Sequence, residues 1–155
     1  THSGRASPES HGTPHRKARE MGYIKALEES KLPLEQILIQ AGDFTEKGGF
    51  EAMQKILEMD SLPTAIFASN DLMALGAMTA IRSAGLSIPE DIAIIGIDDI
   101  PAAKLVYPSL TTFTQHQEHG GEVAAKMLFD RINETYTGPG RLVEMPVDLI
   151  IREST

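Results

Sequence analysis

The sequence predicts an α/β fold in which a parallel sheet is flanked by helices. Strand-length apolar runs, such as Thr64–Ala68 and Ile92–Ile97, alternate with longer segments whose apolar residues recur at helical spacing. The connections between these segments are short, which favours right-handed βαβ units. The Ile92–Ile97 run is also uninterrupted, as expected for a strand that is covered on both faces.

The first part of the chain supplies an arm, a helix and a strand to this fold. Residues 1–16 are rich in Ser, Gly, Pro and His and have no apolar periodicity, which predicts a loop or a poorly ordered arm. Helical spacing of apolar residues predicts a helix over Lys17–Ser30. The apolar Gln36–Gln40 segment is typical of a buried strand, and Thr45 is positioned to cap a second helix.

The middle and end of the chain continue the alternation. A third helix is predicted over Asp71–Ala84, because Gly85 is a usual residue just past a helix C-terminus. Leu110–Thr114 is β-prone, Gly120–Asn133 is an amphipathic helix, and Leu142–Ile151 is an edge strand or a bent hairpin arm. The apolar stripe of the last helix consists of Val123, Met127, Leu128 and Ile132.

Composition limits the classes of function that the chain can have. Its 155 residues are about one domain's worth, and no apolar run approaches the roughly 20 residues of a membrane span. The absence of cysteine excludes disulfides and thiolate metal sites, and it fits a reducing compartment such as the cytoplasm. A formal net charge of −8 disfavours direct binding of DNA phosphates by this chain.

Polar or aromatic residues follow three of the predicted strands, at the point where each strand ends. These are Phe44, Asn70 and Asp98, one for each βα unit. The carboxyl ends of parallel strands meet at one edge of a sheet, where open α/β proteins bind ligands. The Asn70 amide and the Asp98 carboxylate are suited to binding hydroxyl groups, and the Phe44 ring to stacking on an apolar ring face.

Each of these residues also has a purely structural explanation. Asp71 is predicted to cap its helix, which leaves Asn70 free to point outward. Phe44 would equally suit a core position, and Asp98-Asp99 a solvated turn. A catalytic acid–base pair at Asp98-Asp99 is disfavoured because neighbouring side chains on an extended backbone point to opposite sides. We predict no metal site and no cofactor, since the histidine spacings lack a completing ligand and no nucleotide-binding motif occurs.

Several short segments together resemble the effector-binding core of the LacI/GalR family of bacterial transcriptional repressors. Each is weakly specific by itself, but the combined pattern covers nearly everything from Arg19 onward. The matching segments are Arg19–Leu27, Gly42–Phe44, Pro63–Asp71, Ala74–Gly76, Ile88–Ile92, Ile95–Asp99, Pro108–Thr112 with Gln115, and Arg152–Ser154.

The resemblance implies a periplasmic-binding-protein-like fold of type I, present here as a partial core of two α/β subdomains. Positions that match Arg19, Asn70 and Asp98 hold hydroxyl groups of a sugar or nucleoside in such proteins. The position of Phe44 often carries a stacking aromatic. The segment with Thr111, Thr112 and Gln115 resembles a crossover between the subdomains.

The same resemblance implies a division of the chain and a set of partners. Residues 17–109 would form the C-terminal subdomain, residues 110–136 a crossover strand and helix of the N-terminal subdomain, and residues 137–155 the return strands. Operator DNA would be bound through a headpiece outside this chain, by a homodimer in the cytoplasm with no membrane contact. We therefore predict a non-enzymatic sensor of a sugar or nucleoside-like effector.

Two other functions remain open from the sequence. A periplasmic sugar-binding protein of a transport system would have the same fold, and the sequence upstream would distinguish it. A sugar hydrolase would use Asp98 and a distant carboxylate, but no paired-carboxylate pattern is evident.

Overall fold

The computed structural model describes residues 14–34 and 38–155, with side chains from residue 17 onward. The chain forms two compact units, one ending at Ile39 and the other running from Gln40 to Thr155. The elements are helices α1 (Pro14–Glu29), α2 (Glu46–Leu57), α3 (Asp71–Ser83) and α4 (Gln117–Ile132), strands β1 (Ala65–Phe67), β2 (Ala93–Ile97), β3 (Thr111–Thr114) and β4 (Asp148–Ile150), and a 3₁₀ helix over Pro101–Lys104.

The four strands form one mixed sheet in the order β1-β2-β3-β4. β1 and β3 both run parallel to β2, with Ile66 opposite Ile94 and Ile95 opposite Thr111. β4 is antiparallel to β3 and places Ile150 opposite Thr112. The α/β class is confirmed, and the sheet is parallel except at this edge.

α3 packs on the sheet at β2, α2 packs on α3, and these elements build the core. Met78, Ile81, Ile94 and Leu110 are fully buried, and each such side chain contributes about 1.5–3 kcal/mol of hydrophobic stabilisation. The two helices approach closely through glycine. A Cβ on Gly76 would lie only 1.9 Å from the carbonyl oxygen of Glu46 in α2.

Two helix ends match their sequence signals. Thr45 caps α2, and its side chain accepts a hydrogen bond from Gly48 N at 3.0 Å. α3 is followed by Gly85 at a φ of 78°, where a side chain would be strained. Both predicted helix boundaries are confirmed. Such boundaries can be predicted from sequence because they depend on local backbone geometry.

The structure differs from the predictions near the start of the chain. α1 begins at Pro14, so the last residues of the predicted arm over 1–16 are helical, since proline is well accommodated in the first turn; the rest of that arm lies outside the described residues. Of the predicted strand Gln36–Gln40, residues 36 and 37 also lie outside them. The described part, residues 38–40, contains no strand.

A second difference concerns the segment predicted to leave the sheet. β3 pairs with β2 and β4 along its whole length, so residues 111–114 belong to the same sheet as β1 and β2. The chain leaves the sheet only after β3, at Gln115. α4 then buries none of its residues, and Leu128 and Ile132 remain 60% and 63% exposed. The division into two subdomains stays a prediction, with its first crossing moved to the end of β3.

Among the described residues, no helix is both long and apolar enough to span a membrane.

Candidate functional site

Asn70 lies at the carboxyl end of β1 and caps α3. Its backbone is extended, its Oδ1 accepts a hydrogen bond from Met73 N at 2.9 Å, and its Nδ2 donates one to the carbonyl oxygen of Phe44 at 3.0 Å. The predicted division of roles between Asn70 and Asp71 is therefore wrong. Asp71 is already the first helical residue, so only Asn70 has the extended backbone that a cap requires.

Phe44 sits in a tight turn before α2. Its φ is 65°, and the neighbouring Asp43 stabilises the turn by accepting hydrogen bonds from Thr45 N and Oγ1 at 3.0 and 2.6 Å. These two bonds lower the pKa of the Asp43 carboxyl. Phe44 is half-buried and lies outside the core cluster of the described residues. Its place outside that cluster favours a stacking role over a packing role.

Asp98 follows β2 directly and is half-buried at a φ of 118°. Its backbone N–H donates to the carbonyl oxygen of Phe113 at 2.8 Å, which fixes the residue against β3. Its Oδ1 accepts a hydrogen bond from Gln115 Nε2 at 2.8 Å. The structure thus joins a predicted ligand residue to a predicted crossover residue.

Asp99 has a different environment from Asp98. Its carboxylate accepts a hydrogen bond from Arg152 Nη2, and Lys104 Nζ lies 3.8 Å away. The Asp99 and Arg152 side chains are only 15% and 11% exposed. Both aspartates have a positive φ, so the extended backbone assumed from the sequence is wrong. The two carboxylates nevertheless have separate partners, which disfavours a catalytic pair.

Asp71 is a buried hub that the sequence did not indicate. Its Oδ2 accepts a hydrogen bond from Ile100 N at 2.9 Å, and its Oδ1 accepts one from Thr112 Oγ1 in β3. Burial raises the pKa of the carboxyl, with a further contribution from the negative charges of Asp98 and Asp99. Because Thr112 lies 41 positions along the chain, only a signal for long-range pairing would have identified this contact.

The two threonines predicted as crossover residues are interior positions of β3. Thr111 and Thr112 are 1% and 0% exposed. Thr111 N donates to Ser154 Oγ at 2.8 Å, and its hydroxyl lies 2.9 Å from that of Thr155. The Thr111 hydroxyl therefore ties β3 to the chain end, and the Thr112 hydroxyl ties β3 to Asp71 in α3. Gln115 is the first residue after β3, and its role as a crossover residue stays a prediction.

Arg19 lies on α1, in the unit that ends at Ile39, whereas Phe44, Asn70 and Asp98 lie in the unit that begins at Gln40. Its role beside those three residues stays a prediction.

No group of three or more His, Asp or Glu side chains suited to holding a metal ion occurs among the described residues. His116 and His119 each pair with a single carboxylate, Asp148 at 2.7 Å and Glu122 at 3.4 Å.

The arrangement at this sheet edge suits a ligand with hydroxyl groups. β1 and β2 are neighbouring parallel strands, so Asn70 and Asp98 emerge at the same edge. The Asp98 carboxylate can accept hydrogen bonds from hydroxyl groups, and the Asn70 amide has a second N–H beyond the one that binds Phe44. Phe44 is half-buried and is tied to Asn70 through its own backbone carbonyl.

Comparisons with known proteins identify the family to which this chain belongs. The profile of the periplasmic binding protein-like domain family matches residues 4–155. The HTH-type transcriptional repressor PurR of Pasteurella multocida (strain Pm70) is 45% identical over 138 residues, which are 89% of this chain and 41% of that protein. The chain thus spans less than half the length of this curated relative.

Two solved structures show the same similarity in three dimensions. The transcriptional regulator CelR in complex with cellobiose matches with a TM-score of 0.82 and 37% identity, covering 88% of this chain and 42% of that one. A LacI family transcriptional regulator from Enterococcus faecium with bound ribose matches with a TM-score of 0.79 and 36% identity, covering 90% and 51%.

Proposed function

Because this chain belongs to the family of periplasmic binding protein-like domains and matches the effector-binding core of LacI/GalR regulators, we propose that it is the effector-binding part of a DNA-binding transcriptional repressor. The effector is a small molecule that presents hydroxyl groups, either a sugar or a nucleoside.

The half-buried Asp98 carboxylate is the observation that carries this proposal. Gln115 Nε2 donates a hydrogen bond to its Oδ1 at 2.8 Å, which fixes the orientation of the carboxylate at the sheet edge. A carboxylate accepts hydrogen bonds from two neighbouring hydroxyls, and each hydrogen bond to a charged group contributes about 1.5–3 kcal/mol. Asn70 supplies an amide at the same edge, and Phe44 an aromatic face for an apolar ring surface.

The response to the effector is a shift between two conformations of the complete core. A ligand that binds one conformation more tightly changes DNA affinity through the free energy that couples the two sites. Operator contacts belong to a headpiece outside this acidic chain, whose net charge is −8. The repressor acts in the cytoplasm as a homodimer, which matches the two-fold symmetry of operators.

The functional names of the similar proteins favour this role over the two alternatives. PurR and the two solved structures above are all transcriptional regulators, which speaks against a transport protein of the periplasm. A sugar hydrolase would need a second carboxylate acting with Asp98. The neighbouring Asp99 carboxylate is instead held by Arg152.

A thermal-shift screen of the full-length protein against sugars and nucleosides tests the proposal. A ligand present at 100 times its Kd stabilises the native state by about 2.7 kcal/mol. Asp98→Ala should abolish this stabilisation while the ligand-free protein stays folded. Asp60→Ala, which removes an exposed carboxylate, is the matched control and should respond like the wild type. An Asp98→Ala protein with a normal ligand response would show that the site is wrong.

A further inference from the structure

We infer that His116 is a positioning residue that orients Gln115 onto the Asp98 carboxylate, through a contact with Asp148. This inference rests on the proposed function, because Asp98 is the effector-binding group there. His116 Nε2 lies 2.7 Å from Asp148 Oδ2. The contact joins the residue that follows Gln115 to the first residue of β4, 32 positions further along the chain.

The contacts around Gln115 form a closed ring. Thr114 is the last residue of β3, directly before Gln115, and it pairs with Asp148 across the antiparallel β3–β4 ladder. His116 follows Gln115 and returns to Asp148 through its imidazole. Gln115 is therefore held on both sides by β4, once through the strand pairing of Thr114 and once through the ring of His116. From that place its Nε2 donates to Asp98 Oδ1.

The backbone of His116 is left-handed at this position. Its φ and ψ are 47° and 50°, a conformation that is uncommon outside glycine but that histidine adopts more often than most residues. His116 occupies the N-cap position of α4, but its side chain makes no capping hydrogen bond. Its hydrogen bonds instead join it to Thr114 Oγ1 through the backbone N–H at 3.3 Å and to Asp148 through the ring.

The location of this ring of contacts connects it to the effector response. The chain leaves the sheet at Gln115, forms α4, and re-enters the sheet at Asp148. The His116–Asp148 contact thus lies across the points of exit and re-entry. A movement of the chain at Gln115 relative to Asp148 would therefore alter the Gln115–Asp98 hydrogen bond directly.

The contact is expected to act on local geometry rather than on global stability. The His116 and Asp148 side chains are 39% and 68% exposed, and exposed pairs of this kind contribute little to folding. Removing the imidazole should leave the midpoint of thermal unfolding nearly unchanged. The same change should nevertheless increase the mobility of the Gln115 side chain. It would not do so if the His116–Asp148 contact only stabilised the surface.

The primary test is NMR relaxation of the Gln115 side-chain amide in the full-length protein without ligand. In the wild type, the order parameter of the Gln115 Nε2–H group should be high, as for a rigid group. His116→Ala should lower it below about 0.6, the range of flexible groups. His119→Ala removes the other histidine–carboxylate pair of α4 and is the matched control that should have no effect. His116→Gln, which keeps an N–H donor, should restore part of the order. An unchanged Gln115 order parameter in His116→Ala overturns the inference.

The second test measures affinity for D-ribose, cellobiose and adenosine as probes. His116→Ala should weaken binding of a probe about threefold, in line with a weak exposed pair. Combined with Gln115→Ala, it should weaken binding no more than Gln115→Ala does alone, because both changes act through one hydrogen bond. Multiplying effects would overturn the inference. If no probe binds the wild type, the ligand classes under the proposed function are wrong, and the order parameter still decides the role of His116.

Discussion

Substituting Gly76 by alanine should push apart the two helices that carry the candidate site. An alanine Cβ would lie 1.9 Å from Glu46 O and 2.7 Å from Phe50 N, both backbone atoms of α2. Ordinary contacts of this kind begin near 3.4 Å, so α2 would have to move away by about 1.5 Å. Backbone atoms cannot rotate aside as the end of a flexible side chain does.

The magnitude follows from two opposing effects. Alanine in a helix is favoured over glycine by about 1 kcal/mol, whereas overpacking a close contact costs about 1–3 kcal/mol and occasionally more. Because the clash involves backbone at under 2 Å, we expect a net loss of about 2 kcal/mol, which lowers the midpoint of thermal unfolding by roughly 4–8 °C. The start of α2 adjoins Phe44, so effector affinity should fall as well.

The assay is thermal unfolding of Gly76→Ala beside Gly121→Ala. Gly121 lies in α4, and a Cβ there would meet no described atom within 4 Å outside the adjoining backbone of its own helix. Gly121→Ala should therefore raise the midpoint slightly, by helix propensity alone. If Gly76→Ala raised it by the same amount, the close approach of α2 and α3 would be refuted.

Two further substitutions test the buried carboxylates. The fold raises the pKa of the Asp71 carboxyl above its ordinary 3.8. The folded state therefore binds the proton more tightly than the unfolded state, and the contribution of Asp71 to stability falls as the pH rises through the raised pKa. Asp71→Asn should flatten this fall in urea unfolding measured from pH 4 upward, and a pH dependence equal to that of the wild type would contradict the reasoning. Arg152→Ala leaves the Asp99 carboxylate with only Lys104, at 3.8 Å, and should cost about 3 kcal/mol, the lower end for a buried pair. Arg152→Lys should recover part of that loss in the same assay, and an Arg152→Ala protein as stable as the wild type would show that the pair is not structural.

The helices and strands were largely predictable, because their signals are local. Thr45 and Gly85 mark helix ends through the conformations that their own backbones adopt. The uninterrupted apolar run before Asp98 predicted β2 to within one residue. Such signals depend on periods of 2 and 3.6 residues, which the sequence displays directly.

The polar contacts of the site were not predictable in the same way. Asp71 pairs with Thr112 across 41 positions, and Asp99 with Arg152 across 53. The sequence favours Asp98 over Asp99 only because Asp98 directly follows the strand, and it does not show the partner of either carboxylate. Their roles diverge only because β3 and the chain end bring Gln115 to one carboxylate and Arg152 to the other.

The sequence by itself determined the α/β class, the edge at which polar residues emerge, and the candidates Phe44, Asn70 and Asp98. The tertiary structure alone decided that Asn70 caps α3 and that Asp71 is a buried hub. It also decided that residues 111–114 remain in the sheet. The physical reason is that apolar periodicity acts over one or two turns of chain, whereas a buried polar group must find its partner wherever the fold brings one within hydrogen-bond distance.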